Sequence, residues 1–578
     1  MPKRKNSTPI VPLPRPPARV PPTKVPAQQT KVAAAPAAAA PPPQPAATGT
    51  GRPTLWTAHT PTGTKATGLG RELAGTSQAH GGVPVAWESW QCDSEAGRAL
   101  SLPEPLPALV ALALELRRAA RLKALREELA AECRAHGVSS PPLNAFDRWR
   151  FLCKWREESR LGTHAQEPLL PVRLEAGGTG PSHEAADGSS RSPDEWLTHD
   201  LQRAGMTAAV AAQTAERLLT SSSKAAAGLA ATRRKLLAGR IPAPERPAVR
   251  AETLPDGSVR LAAADDDGGG SGEVSVTLAS HALEKLRALH ALHARRQHGS
   301  EKPGGAEEEQ EQEQEQEQEQ EQEQAEQDLL ARLFVLVLRY QSIGGAGFQA
   351  SLGRPVFDEL RAVAAVDTEC FASPLNCFFP AFCSAFPDVD GPFGSAGSFA
   401  LFAPRRGRFE ANPPFVDGVI DSMATHMLAL LETAQRAAEP LSFVVVLPGW
   451  LDSAGWRALE AAPLRRATLQ VAAADHGFVD GAQHARACSF RQSPYDTTLF
   501  FLQTDAAAAA HPLGAAELAR VERALASCTP SEADLAGVEL HERVERGSAR
   551  RKLARRAHRA EQHHPARTKR DEQSEMRK

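Results

Sequence analysis

Eighteen of the twenty phenylalanines in this 578-residue chain lie between Phe334 and Phe501, and that clustering decides where a dense core can form. Large apolar side chains supply the burial that offsets ordering entropy. The N-terminal segment 1–84 has few of them. Its Pro/Ala-rich stretches such as "VAAAPAAAAPPPQPAATGTG" bury too little surface to fold, so this segment is expected to be disordered.

The net charge of −2 conceals an uneven distribution. From His541 to Lys578 there are 13 Lys+Arg against 6 Asp+Glu, within a basic tail taken as 536–578, and the chain opens with "PKRK". Basic clusters at both ends read as nuclear-import or nucleic-acid signals, with solvated tails as the plainer alternative. A nuclear location is the expectation. No N-terminal apolar segment and no apolar run of spanning length occurs, so neither secretion nor a membrane partner is expected. The eight cysteines show no CxxC spacing. Cys370, Cys377 and Cys383 are close in sequence, but no second pair completes a zinc set. They read as buried thiols, and no metal is expected.

Residues 85–300 read as a mostly helical domain. Helical periodicity covers 105–136, about 143–158 and about 193–238; "GEVSVTLAS" offers a short strand and "HALEKLRALHALHARRQ" a further helix. Residues 301–327 form a Glu/Gln low-complexity insert, expected as disorder or a lone helix. From 328 to 535 apolar strands alternate with helices. "VDTECFAS", "RFEANPP" and "LSFVVVLPG" read as strands, as do the regions near 467–473 and 497–503. Such alternation predicts an α/β fold with a parallel or mixed sheet covered on both faces. Ligands of such sheets sit beyond the C-terminal strand ends.

Asn412, Pro413, Pro414 and Phe415 stand at one of those ends. The Asn412 side-chain oxygen and the Pro413 carbonyl can accept both N–H groups of an exocyclic amine such as adenine N6. Proline adds no competing donor and fixes its φ, while Phe415 offers a face on which a base stacks. Two aimed oxygens also stabilise the positive charge that an amine gains as it attacks a methyl group. The methyl donor is expected to be S-adenosyl-L-methionine. Asn412 and Phe415 would contact it, together with an earlier strand end, "ECFASPLN". There Glu369, Phe371, Ala372 and Ser373 follow an acidic-x-Phe loop pattern, with Ala and Ser in place of glycines. A plain turn after an edge strand is the competing reading of the tetrapeptide.

Beyond the tetrapeptide, "RYQSIGGAGFQASL", "ECFASPLNCFFPAFCSAFPDVDGPFGS", "FEANPPF", "PLSFVVVLPGW" and "TTLFFLQTD" occur in this order. Together they resemble the cap-specific adenosine N6-methyltransferase family of phosphorylated-CTD-interacting factors, over about 328–505. The resemblance implies a Rossmann-type class I methyltransferase domain preceded by a mostly helical domain, with a capped mRNA 5′ end between them. It also implies methylation at N6 of the cap-adjacent 2′-O-methyladenosine. Animal members carry a WW domain that binds the RNA polymerase II C-terminal tail. Here Trp56, Trp87 and Trp90 occur but no tyrosine precedes Tyr340, so that interaction is doubted.

A 7-methylguanine ring is cationic and calls for aromatic faces and a carboxylate. Asp417 can supply the carboxylate, or can simply stabilise the first turn of a helix. The resemblance points to the loop Leu447, Pro448, Gly449, Trp450 and Leu451 as substrate-contacting, with Trp450 either a pocket wall or core. Arg148 is the leading triphosphate contact, beside Arg150, Lys154, Arg156, Arg160, Arg405 and Arg406; solvated helix faces would explain the same charges. His476 and His484 are expected to shape a loop. Two other readings stand against the cap enzyme. One is an N6-adenine or glutamine methyltransferase of another substrate; the other is a non-catalytic nuclear RNA-binding scaffold.

Overall fold

Helix α1 (Ala108–Ala135) buries Leu112, Leu116, Leu122, Leu125 and Leu129 along one stripe and stops before Gly137, which has φ +79°. This computed structural model describes residues 102–174, 192–246, 248–265, 272–298, 311–343, 346–479, 481, 484–485 and 490–529. The expectations for segment 1–84, its tryptophan Trp56, Trp87 and Trp90 just beyond it, and the basic tail lie outside those residues. Among the described residues, no helix is long and apolar enough to cross a membrane.

Helix α2 (Ala145–Leu161) ends at Gly162, whose left-handed backbone (φ +63°) returns its N–H to the Glu158 carbonyl. The stretch expected as one helix over 193–238 is two, α3 (Pro193–Arg203) and α4 (Ala208–Leu237), separated at Gly205 with φ +113°. Ser192 and Glu195 form a capping box at the start of α3, and Thr207 caps α4. Where the sequence suggested one strand, an antiparallel meander folds: β1 (Val249–Thr253), β2 (Val259–Asp265) and β3 (Gly272–Leu278). Its first turn, through Asp256 and Gly257 (φ +80°), is the signal that marks the two missed strands.

Helix α5 (Ser280–His298) follows, then α6 (Glu311–Gln341). The Glu/Gln run is therefore neither disordered nor a separate helix over its described part. It is the N-terminal extension of a helix whose other half buries Leu333, Phe334, Leu336, Val337 and Tyr340. The expected boundary at 327/328 falls inside that helix. Packing of the apolar half nucleates it, and adding further turns is then inexpensive.

The remaining elements build the larger sheet: α7 (Arg354–Ala364), β4 (Thr368–Ala372), β5 (Phe382–Ser384), α8 (Pro387–Asp390), β6 (Gly407–Ala411), α9 (Asp417–Arg436) and β7 (Leu441–Pro448). They continue with α10 (Ala454–Glu460), β8 (Arg465–Val471), the short pair β9 (Gly477–Val479) and β10 (Phe490–Gln492), β11 (Thr497–Gln503), α11 (Asp505–Ala510) and α12 (Ala515–Ala526). The six-stranded order is β5-β4-β6-β7-β11-β8. Neighbours from β5 to β7 are parallel, while β11 runs antiparallel to both β7 and β8.

Both faces of this sheet are covered, which explains its unbroken apolar strands. Along β7, Phe443, Val445 and Leu447 join Met423 and Met427 of α9, while Val444 and Val446 join Phe357 of α7 and Leu525 of α12. The mixed α/β architecture agrees with the expectation from periodicity.

Parallel pairing of β4 and β6 sets Glu369 beside Glu410, both nearly fully buried. Glu369 Oε2 accepts the backbone N–H groups of Phe378 (2.7 Å) and Phe379 (2.9 Å). Burial nevertheless pushes the Glu369 carboxyl up from 4.5 to about 7, against the opposing pull of those two N–H groups and of Lys285. Burial and the neighbouring Glu369 raise Glu410 well above the usual range. Between those pH values the folded protein retains a proton that the unfolded chain has released, so stability falls as pH rises. Above about pH 7 the loss from Glu369 is complete, on the order of 3 kcal/mol. Glu369→Gln should therefore flatten the fall in Tm between about pH 5 and 8, measured by thermal unfolding. An unchanged slope would assign the titration to another group.

Candidate functional site

The C-terminal ends of β4, β5 and β6 open into a cleft enclosing about 800 Å³, counted out to open solvent. Its floor comes from Cys370, Phe371, Ala372 and Ser373 on β4 and its loop, from Ser384 and Ala385 after β5, and from Asn412 and Pro414 after β6. Its outer wall is α2, which contributes Phe151, Lys154, Trp155 and Glu158. Because α2 also packs on α9, with Leu152 against Gly418, the helical part closes over the strand ends.

Two asparagines are held by one segment. Asn412 Nδ2 donates to the Ala350 carbonyl at 3.3 Å, and Asn376 Nδ2 donates to the Gln349 carbonyl at 2.9 Å. This commits the amino side of Asn412 and directs its oxygen to accept from a ligand. Asn376 Oδ1 also accepts the Ser373 backbone N–H (2.7 Å) and the Ser373 hydroxyl (2.8 Å). The loop after β4, which lacks glycines, is thus shaped by an asparagine side chain. Gln349 Oε1 is buried in the cleft wall with no hydrogen-bond partner in the protein, a group that a polar ligand would satisfy.

Beside the cleft stands an aromatic shelf. Phe415 meets Trp450 edge-on at 6.3 Å and Phe478 at 6.1 Å, and Trp450 meets Tyr495 at 5.5 Å. Tyr495 is 43% exposed, so the shelf ends in a ring face open to solvent.

Of the expected donor contacts, Phe371, Ala372, Ser373 and Asn412 line the cleft, whereas Glu369 and Phe415 do not; of the other expected catalytic residues Pro414 lines it and Pro413 does not. Glu369 is buried with its carboxylate occupied by the backbone N–H groups of Phe378 and Phe379. Phe415 and the buried Pro413 stand between cleft and shelf.

The loop after β7 divides as well. Leu447 is fully buried in the core and Pro448 is buried opposite Thr497. The Gly449 N–H is taken by the Asp496 carbonyl at 2.7 Å. Only Trp450 and the exposed Leu451 present side chains outward.

Asp417 opens α9, and burial raises its carboxyl while Arg148 lowers it and Asp452 and Asp200 raise it. Arg148 itself lies 3.6 Å from Asp200. Arg150 is buried against Asp147, and Lys154 is held by Glu158 at 2.6 Å, so neither cation is available to solvent phosphates. Arg405 and Arg406 precede β6, at the end opposite Asn412 and about 16 Å or more away along the strand. They cannot serve a ligand bound at Asn412. His476 Nδ1 donates to the Ala472 carbonyl and its Nε2 accepts from the Thr497 hydroxyl of β11, each at 2.8 Å. The cysteines Cys370, Cys377 and Cys383 are buried free thiols.

Sequence reasoning missed Trp155, Glu158, Phe348, Asn376, Ser398 and Phe399, all in the cleft wall. The i, i+4 spacing of Lys154 and Glu158 is the one local signal that could have drawn attention to this acid. In the structure Glu158 is buried. Burial alone would raise its carboxyl, but Lys154, His164 and Ser398 hold it down at about 2.

The profile described as "Phosphorylated CTD interacting factor 1 WW domain" matches residues 311–481. Those residues form α6 and the sheet from β4 to β9, so the match falls on the site itself. A human protein named mRNA (2′-O-methyladenosine-N(6)-)-methyltransferase is 41% identical over 193 residues, 31% of this chain and 27% of that relative. The mouse protein of the same name is 41% identical over 191 residues, 31% of this chain and 26% of its own length. The match thus spans about a quarter of the length of these relatives. Over that segment the homologues of this chain are the mRNA (2′-O-methyladenosine-N(6)-)-methyltransferases, and the matching family is that of the phosphorylated CTD interacting factor.

Proposed function

We propose that the chain is an S-adenosyl-L-methionine-dependent methyltransferase acting on N6 of the cap-adjacent 2′-O-methyladenosine of mRNA. The observation that carries this reading is Asn412 at the end of β6, its amide oriented by Ala350, lining the cleft beside an aromatic shelf. The printed names of the relatives supply the substrate. In this reading β5-β4-β6-β7-β11-β8, with β11 reversed, is a Rossmann-type class I methyltransferase sheet within 328–535. Residues 85–300 are its RNA-contacting, mostly helical partner. The basic termini fit a nuclear protein.

The cleft suits the donor. Its lining is predominantly apolar with a few convergent polar groups, as in small-molecule sites. Phe371, Trp155 and Phe399 give it an aromatic wall, and Ser373, Asn376 and Gln349 give it polar groups. When bound there, S-adenosyl-L-methionine supplies an electrophilic methyl group. Asn412 Oδ1 and the Pro413 carbonyl accept the two N–H groups of the adenine amine and hold its nitrogen toward the cleft. Both oxygens stabilise the positive charge that develops on that nitrogen. Phe415, braced edge-on by Trp450 and Phe478, offers its face to the adenine ring. Beyond it, Trp450 and Tyr495 offer stacking surface to the cap, with Asp417 and Arg148 at the mouth.

Two outcomes follow from this arrangement. Asn412→Ala should lower kcat by about 100- to 1,000-fold, a loss of roughly 3–4 kcal/mol of charge stabilisation, while donor affinity by calorimetry changes only a few-fold. Near-normal turnover would remove Asn412 from the chemistry. On one RNA sequence, kcat/KM should fall from a 7-methylguanosine cap to an unmethylated cap, and again to a triphosphate end. The first step loses the ring charge that drives stacking, worth about 1–2 kcal/mol; the second loses the ring. Equal values for the three ends would show that the cap is not read, and would favour an enzyme of internal adenosine or DNA.

A further inference from the structure

Glu158 belongs to α2, yet its carboxylate lies in the wall of the cleft beyond the sheet. It is 1% exposed. Its Oε2 takes the Lys154 ammonium at 2.6 Å and the Ser398 hydroxyl at 2.7 Å. Its Oε1 is engaged less fully, with the Ala165 N–H at 3.3 Å and His164 Nδ1 at 3.8 Å. A buried carboxylate is costly unless its lone pairs are met, and an oxygen with such long contacts has capacity for a further donor.

The position of Glu158 in the cleft identifies that donor. Ser398 follows a segment that runs along the free edge of β5. Ser395 bridges Phe382 in parallel, Ala396 N–H donates to the Phe382 carbonyl at 2.7 Å, and Ser384 N–H donates to the Gly397 carbonyl at 2.9 Å. Glu158 therefore marks the β5 edge of the cleft, whereas Asn412 ends β6. With β5 and β4 between that edge segment and β6, the two are separated by about three strand spacings, roughly 14 Å.

The aromatic faces of the cleft adjoin Glu158. Trp155, on the same helix, stacks on Phe371 at 6.3 Å and 13°, and Phe399 directly follows Ser398 and lies 5.0 Å from Phe371. A nucleoside with its base against this wall and its 5′ end toward Asn412 brings its ribose hydroxyls beside Glu158. A neutral diol suits the site better than a second ammonium, because Lys154 already balances the carboxylate charge. Of the two acids of α8, the helix that follows β5, Asp388 is held by both terminal nitrogens of Arg339 at 3.0 Å and Asp390 accepts the Tyr340 hydroxyl at 2.7 Å.

Resting on the methyltransferase reading, we propose that Glu158 is the ribose-binding carboxylate of the methyl-donor site, positioned by Lys154 and Ser398. In dinucleotide-binding sheets this acid comes from the sheet itself; here the covering helix supplies it. The donor pocket is then complete only when α2 is docked.

The test is a binding cycle by calorimetry, with S-adenosylhomocysteine and its 2′,3′-dideoxy analogue as probes. The wild-type protein should bind the dideoxy analogue about 10- to 100-fold more weakly, as expected for hydrogen bonds to a buried charge. Glu158→Gln should bind the two probes within about threefold of each other, while Ser398→Ala, which keeps the carboxylate, should still discriminate. If Glu158→Gln does not fold, Glu158→Asp withdraws the carboxylate by one methylene and should lose most of the discrimination. Wild-type discrimination retained in Glu158→Gln, or in Glu158→Asp where that variant is needed, overturns the assignment, as does a wild-type protein that binds both probes equally. A wild-type protein that binds neither probe overturns the donor site as a whole.

Discussion

One buried guanidinium joins the two halves of this molecule. Arg339, near the end of α6, reaches Glu115 of α1 through Nε (2.9 Å) and a terminal nitrogen (2.7 Å), and Asp388 of α8 through both terminal nitrogens (3.0 Å). Arg118 extends the cluster to Glu115 at 2.5 Å and to Glu167 at 2.7 Å. Burial alone would lower the Arg339 pKa, but Asp388 and Glu115 keep it well above its ordinary value. Breaking such a cluster on one side strands a buried charge, and typically costs about 3–5 kcal/mol. The helical layer is thereby seated on the α/β sheet in one register. Everything that α2 contributes to the cleft depends on that seating.

The cleft then follows from two simple constraints. Parallel strands leave their C-terminal ends open on one edge, where β4, β5 and β6 present short loops. The Gln349–Ala350 carbonyls cross that edge and hold an asparagine from each of two loops, which fixes how both amides face. The amide orientations on which the proposed amine and nucleoside contacts rest are thus set by backbone groups as much as by side chains. The aromatic shelf behind Phe415 extends the same surface outward, toward a longer nucleic-acid end.

Much of this was legible in the sequence. Asn412 to Phe415, the strand before it and the helix after it carry strong local signals, and burial of β7 on both faces explains the apolar run that marked it. Other features depended on long-range packing. Glu369 sits one residue from cleft-lining Cys370, and it is the approach of the Phe378 and Phe379 backbone that occupies its carboxylate. Glu158 looks like the acid of an ordinary surface ion pair until Ser398, 240 residues away in sequence, covers it. The Glu/Gln run gave no hint that it would continue a core helix, because its own residues bury little; the apolar half of α6 provides the reason. In each case composition was clear, and the missing information was which surface another segment would cover.

The central claim is that Asn412 presents a cap-adjacent adenine amine for methylation. The most direct measurement uses methyl-labelled S-adenosyl-L-methionine with short capped RNAs that begin with 2′-O-methyladenosine, adenosine or guanosine, followed by identification of the labelled nucleoside. This account predicts label at N6 of the first transcribed 2′-O-methyladenosine, less on unmodified adenosine and none on guanosine. Label at an internal adenosine, at a different atom, or equally on all three RNAs would contradict it.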